Sequence, residues 1–555
     1  MNAKKKNGSG FLVQGSILAM ASIISRIIGL IYRLPMTNII GDAGNNYYSC
    51  AFEIYNIMLI ISSYSLPLAV SKLVSAKMAK GSRKGAYAIL KGALIFAGAA
   101  GLVVTLIVYL GADFFTGLLQ TPLSSIALRV LAPALLVVAI LGVLRGFFQG
   151  LGTMVPSAIS QVIEQIVNAI VSVWAAYVLF SYGTNLGEQI GDAEHLGPAY
   201  GAAGGTLGTN LGAVAGLVFV LFVFFAYMRR FKMKMRRERN VEVDSFGYTM
   251  RVLLLTIFPV LLSTTIYNIS GILDQGVFKN IATMQGYTSD QIDIWWGVFS
   301  GKYKILINVP IAISSAIAAS SVPSLTLSYS EGNMESVRSK IHSAMRFISL
   351  IAIPCCVGLA VLAKPIFMLL FAGTMETLDM ASVMMWIGAC AVIFYSISTL
   401  SNGLLQGIDK MSVPVKNAAI ALVAHLGVLA LLMLVFKIHI FAVVIANAFF
   451  ALLMCFLNAR SLIKYSGYKQ EFKKTFLLPL LCSLIMGVVA LGVYQLFYRV
   501  CSLPNAISLF VSIIVAIMVY GFALILLKGI TEEEILNFPK GTMLVRILKK
   551  MRVFK

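Results

Sequence analysis

Long apolar stretches follow one another almost without pause, at about 11–40, 47–76, 86–110, 123–145, 154–181, 199–228, 248–272, 294–325, 342–363, 380–405, 413–436, 438–460, 475–498 and 505–528. At ~1.5 Å per helical residue each is long enough to cross a hydrocarbon core of ~30 Å. Helices satisfy their own backbone polar groups, which lipid cannot do for them. The chain is 59% hydrophobic and only 12% charged, which no ordinary soluble domain matches. The expected fold class is therefore an all-α integral membrane protein with about fourteen transmembrane helices.

The net charge of +22 invites a nucleic-acid reading, but placement argues otherwise. Basic clusters follow the second, sixth and twelfth spans: Lys72 to Lys84, Arg229 to Arg239, and Arg460 to Lys474. A fourth, from Lys540 to Lys555, closes the chain. Intervening connections are acidic or neutral, with Asp42, Asp113, Glu188, Asp192 and Glu194. The positive-inside rule then puts both termini in the cytoplasm, and the charge serves topology and contact with anionic membrane lipids. Lys4, Lys5 and Lys6 precede a run too long for a signal-peptide core, so no cleavable signal peptide is expected. The seven cysteines lack metal or redox spacing and read as small packing residues.

An internal repeat is visible. Gly146, Gln149, Gly150, Met154 and Pro156 recur as Gly403, Gln406, Gly407, Met411 and Pro414. Arg26 to Gly29 corresponds to Asn268 to Gly271, and Ser65-Leu66-Pro67 to Ser321-Val322-Pro323. These matches register spans 1–6 on spans 7–12. An even shift keeps the orientation, so two six-helix lobes are expected as a parallel repeat around a central cavity, with two extra C-terminal helices. The expected divisions are 1–240, 241–470 and 471–555.

Polar residues inside the spans carry the functional reading. Ser25-Arg26-Ile27-Ile28-Gly29-Leu30-Ile31-Tyr32-Arg33 lies in the first span, and a helix puts Arg26, Gly29 and Arg33 on one face. Arg26 is ~22 Å into the run, near mid-membrane. Arginine cannot shed its charge, so it needs an anion or a water-filled cavity. The bland alternatives are that Arg33 reaches the membrane surface and that Arg26 pairs with a neighbouring helix. In the eighth span Lys304 is expected to face the cavity, with Lys302, which cannot share its face, nearer packing. Glu53 is a partner for Arg26 or Arg33, or a proton carrier. Ser160, Glu164 and Asn168 form a polar stripe that contacts either cargo or other helices. Asp274 is a candidate for a coupling cation. The repeat is unequal in charge: Asn268 and Gln275 stand where the first lobe has Arg26 and Arg33. Gly204, Gly208, Gly212 and Gly216 read as a packing seam. No HExxH, nucleophile elbow or Walker motif occurs, so no enzyme and no cofactor are expected. Energy would come from sodium, protons or the membrane potential.

The Ser25–Arg33 stretch, Ser65-Leu66-Pro67 through Ser71-Lys72 to Ser75, and Arg145-Gly146-Phe147-Phe148-Gln149-Gly150 together resemble the polysaccharide transporter branch of the multidrug/oligosaccharidyl-lipid/polysaccharide exporter superfamily. Within it the chain is similar to the stage V sporulation protein B-like group, relatives of the lipid II flippases. The resemblance covers nearly the whole chain. It implies alternating access and an undecaprenyl-pyrophosphate-linked sugar as cargo, with lipid II the first candidate, at a bacterial cell membrane. Cell-wall synthesis proteins are further candidate partners. It carries cavity cations onto Arg26, Arg33 and Lys304 or Lys302, where related flippases often have arginine at the eighth span. Some relatives bind sodium through the seventh, eleventh and twelfth spans. Here the eleventh offers Asn417 but no carboxylate. Rival readings are a cation-coupled drug exporter, a flippase for another lipid-linked glycan, a glycan polymerase or ligase, and a non-transporting scaffold. The first rival would want carboxylates or aromatics where this chain has arginines.

Overall fold

The computed structural model describes residues 2–238, 245–527 and 529–530; the basic cluster at the C-terminus lies outside them. Helices and turns account for the described residues, with no strand among them. The chain forms two compact units, Met1–Ile305 with Leu426–Val443, and Leu306–His425 with Val444–Lys555.

The first unit is led by α1 (Asn2–Leu59), 58 residues long. Straight, it would run ~87 Å, nearly three bilayer cores. It does not run straight: Gly41 has φ 70° and ψ −175°, a conformation that side-chain-bearing residues avoid. Two expected spans are thus the two arms of α1, the second continued by α2 (Leu66–Ala79). Next come α3 (Arg83–Leu110), α4 (Ala112–Leu118), α5 (Ser124–Leu131) and α6 (Pro133–Gly150). The long pair α7 (Val155–Ile190) and α8 (Ala193–Arg236) follows. Then come α9 (Phe246–Asn268), α10 (Ser270–Met284) and α11 (Ser289–Val298). The stretch expected to be a loop after residue 272 is therefore largely helix.

The second unit holds α12 (Lys304–Ser330), α13 (Met334–Val361), α14 (Ala363–Leu370), α15 (Leu378–Gly388) and α16 (Cys390–Gly407). It is completed by α17 (Ser412–Leu431), α18 (Ile440–Ser466), α19 (Leu478–Gln495) and α20 (Asn505–Leu526); the first residues of α12, the end of α17 and the start of α18 fall in the first unit. By length and composition, eleven helices among the described residues can cross a membrane, or twelve when the pair bent by 52° at Ala389 counts as one. The Met20–Ala79 segment enters that count once although Gly41 breaks it. Exposed Val218, Phe222 and Phe225 lie on one face of α8, as expected of a lipid-facing stripe.

Small residues make the helix contacts. A Cβ on Gly204 would lie 2.3 Å from the Ala175 carbonyl, and one on Gly212 2.6 Å from the Glu164 carbonyl. The glycine row of α8 is the seam against α7 that its spacing predicts. The repeated motifs also pack on each other. Gly146 of α6 lies against Pro67 of α2, 2.6 Å from its carbonyl by the same measure. In the second unit Gly403 meets Ala318 at 3.1 Å, and Gly407 meets Leu325 at 3.0 Å. Each copy of the repeat thus seats its Gly-x-x-x-Gly helix on its Ser-x-Pro helix.

The start of α3 is fully capped. Glu238, beyond α8, accepts from the amides of Arg83 (3.0 Å) and Lys84 (3.1 Å) and from the Arg83 guanidinium (3.1 Å). The Ser82 hydroxyl accepts from the Gly85 amide, and the Ser82 amide donates to the Lys77 carbonyl, so all four free amides at the helix start are satisfied. Burial alone would raise the Glu238 pKa; these donors outweigh it and hold it below the ordinary 4.5. The clasp therefore stabilises above that value and is lost as pH falls through the lowered one. Replacing Glu238 with Gln should cost about 1 kcal/mol locally. Hydrogen exchange at the Arg83 and Lys84 amides should rise about fivefold at neutral pH, and the wild-type clasp should loosen only in acid.

Candidate functional site

The first arm of α1 carries the cations. Arg26 is exposed, and no hydrogen bond or ion pair holds it among the described residues. The next turns dock on α7: Ser22 donates to Gln161 at 3.3 Å, and Asn168 donates to the Tyr32 hydroxyl at 3.4 Å. Arg33 is half-buried. Its guanidinium carbon lies 4.7 Å from the Tyr48 ring centre and 5.9 Å from that of Phe52, and those two rings stack 5.2 Å apart. Aromatic faces attract the charge without neutralising it.

The second arm carries carboxylates, and they pair with lysines rather than with the arginines. Lys304 lies 3.7 Å from Glu53, both partly exposed, and also faces Phe299. Lys302 lies 3.0 Å from Asp42, and both are buried. A wide turn at Phe299–Tyr303, with hydrogen bonds reaching five residues, precedes α12 and sends the two lysines to partners eleven residues apart on α1. Lys302, a candidate for cargo contact, is thus sealed into packing. The backbones also meet closely here: a Cβ on Gly297 would lie 1.8 Å from the Asp42 carbonyl.

A second sealed pair escaped the sequence reading. Lys279 of α10 is fully buried and reaches Asp293 of α11 at 3.0 Å. It also donates to Asn46 of α1 at 2.6 Å and to Thr121. The available signal was a lysine and an aspartate flanking one short turn, but that turn was read as an outer loop. Nearby, His195 offers one ring nitrogen to Asp192 and the other to Asp290, at 3.0 Å for the latter. Only the imidazolium has an N–H for each.

Glu164 pairs with Arg145 at 2.8 Å, and the Arg145 Nε donates to Ser160 at 2.8 Å. The polar stripe of α7 therefore binds helices: Ser160 and Glu164 hold α6, while Asn168 holds Tyr32 and Ser172. Of the coupling-ion candidates, Asp274 is buried in α10. Asn417, in the second unit, donates to Asn458 at 2.8 Å and to Ser461 at 3.2 Å. Asn458 in turn donates to Asn402 at 2.7 Å, linking α16, α17 and α18. Among the repeat counterparts of the arginines, Asn268 is exposed and Gln275 is fully buried.

A membrane-embedded helical fold with unbalanced cations on one helix defines a transporter class, and comparison with known proteins gives it a family. The polysaccharide biosynthesis protein family matches residues 12–329, more than half of the chain. The chain belongs to that family. It is 26% identical over 497 residues to the lipid II flippase MurJ of Bacillus subtilis (strain 168), covering 86% of this chain and 88% of that protein. It is 23% identical to stage V sporulation protein B of the same organism, covering 97% and 99%. Among solved structures, a lipid II flippase MurJ in an inward closed conformation superposes with a TM-score of 0.64 at 16% identity, covering 91% of this chain and 97% of that one. An inward-facing multidrug resistance MATE family transporter of the MOP superfamily gives 0.65 at 14%, covering 81% and 99%. The fold is that of the MOP superfamily of multi-pass membrane transporters.

Breaking one partner of the Lys302–Asp42 pair leaves a buried charge uncompensated, which costs about 3–5 kcal/mol. Lys302→Met should therefore sharply lower the melting temperature of the purified protein. The double variant Asp42→Asn/Lys302→Met should recover most of the loss.

Proposed function

We propose that this protein is a flippase that moves an undecaprenyl-pyrophosphate-linked sugar, lipid II in the first place, from the inner to the outer leaflet by alternating access. The observation that carries the reading is Arg26. A permanent cation mid-way along an apolar helix is costly, and this one has no partner among the described residues. A pyrophosphate supplies what is missing through charge-assisted, bidentate hydrogen bonds. Arg33, aimed over aromatic rings, and Lys304, loosely held by Glu53, add positive charge that an anion can recruit. Glu53 then trades Lys304 with the cargo, while Glu164 supports the site through Arg145 and Lys302 through Asp42. The cargo moves without a covalent bond being made or broken.

In this reading the lobes 1–240 and 241–470 rock against each other, 471–555 is an addition, and both termini are cytoplasmic in a bacterial cell membrane. The sealed cluster of Asp42, Asn46, Lys279, Asp293 and Lys302 closes the outer end. Sodium, protons or the membrane potential drive the cycle, with Asp274 and Asn417 as coupling-ion positions. The relatives' names support a lipid-linked cargo; the multidrug MATE likeness speaks to fold, and a cationic drug would be repelled by Arg26 and Arg33.

The test supplies this gene to a bacterium depleted of its own lipid II flippase and labels lipid II exposed outside. Wild type should restore labelling, and Arg26→Ala at equal expression should reduce it at least about tenfold, the loss of one charge-assisted contact. Restoration by both would remove Arg26 from the mechanism. Failure of wild type, correctly inserted, would point to another lipid-linked glycan or to drug export.

A further inference from the structure

The end of α2 and the start of α9 meet around a cavity of about 130 Å³. Lys77 lies at the end of α2 and Lys80 just beyond it; Tyr248 and Thr249 come from the first turn of α9, and Leu73 and Val252 line the deeper side. None of these residues enters the transport reading. The first turn of α9 brings the positive end of its helix dipole to the same place, and Ser245 caps only its Tyr248 amide through its side chain. The floor is apolar, and exposed Tyr248, Leu254 and Leu255 continue along α9 beside it.

We infer that this cavity binds the phosphate of an anionic phospholipid, with Lys77 and Lys80 holding the headgroup, the Tyr248 and Thr249 hydroxyls completing it, and the acyl chains lying along Leu73 and Val252. Two lysines and two hydroxyls suit a phosphate diester. A free phosphate ion would make no use of the apolar floor. The position fits the chemistry, because α2 ends and α9 begins here, which is where a membrane span meets the headgroup layer. The inference is independent of the cargo proposed above.

The test is native mass spectrometry of the full-length protein titrated with phosphatidylglycerol or phosphatidylcholine. Phosphatidylglycerol should bind about tenfold more tightly, and Lys77→Gln/Lys80→Gln should abolish that preference. Lys469→Gln, an exposed lysine of the second unit, should leave it unchanged. Equal binding by wild type and the double variant would overturn the assignment. So would an equal loss in Lys469→Gln, which would make the effect one of general charge. Displacement by equimolar inorganic phosphate or undecaprenyl pyrophosphate would give the site to a different ligand.

Discussion

A fixed charge moved from water into a medium of low dielectric must find compensation, and the way each cation finds it organises the first unit. Lys302 and Lys279 are sealed against Asp42 and Asp293. Such pairs add little net stability, but each locks two elements in register because separating them strands a charge. Arg145 with Glu164 and Lys304 with Glu53 are compensated while partly exposed. Arg33 lies against the aromatic side chains of Tyr48 and Phe52, and Arg26 has no partner among the described residues. The series runs from charges sealed between elements to one left exposed on its helix.

Helix packing rests on a different constraint. Lipid tails are as apolar as leucine, so helices in a bilayer gain by close approach rather than by hiding from solvent. The glycine row of α8 brings it onto the α7 backbone, and Gly146 brings α6 onto Pro67. Gly146 and Pro67, two of the residues that carry the family resemblance, are therefore packing residues. In the second unit Gly403 likewise approaches α12, at Ala318. What the repeat shares is scaffold; Arg26 and Arg33 facing Asn268 and Gln275 is what it does not share.

Much of this was legible in the sequence. Span lengths, the glycine seam and the repeat are local or periodic signals, and physics fixes their meaning. Helical spacing also puts Arg26 and Arg33 on one face of α1. Partner choice was not legible. Asn46 and Lys279 are 233 residues apart, and no periodicity links them. Glu53 is expected to counter Arg26 or Arg33 or to carry a proton, and in the structure it meets Lys304. Polar residues interrupt the apolar run over 273–293, which suggests a loop; the structure has α10 and α11 there, joined by the buried Lys279 reaching Asp293.

The pairing across the hairpin has a consequence for charge. Gly41 folds α1 into an arm bearing Arg26 and Arg33 and an arm bearing Asp42 and Glu53. Direct pairing between the arms would neutralise both and leave nothing for a ligand. Instead, Asp42 and Glu53 turn to Lys302 and Lys304, brought in by the chain before and at the start of α12. The second arm offers Arg33 rings in place of a carboxylate. Rings hold a guanidinium in place while leaving its donors and its field available. Supplying lysines from elsewhere in the chain to the carboxylates thus leaves the arginine arm positively charged.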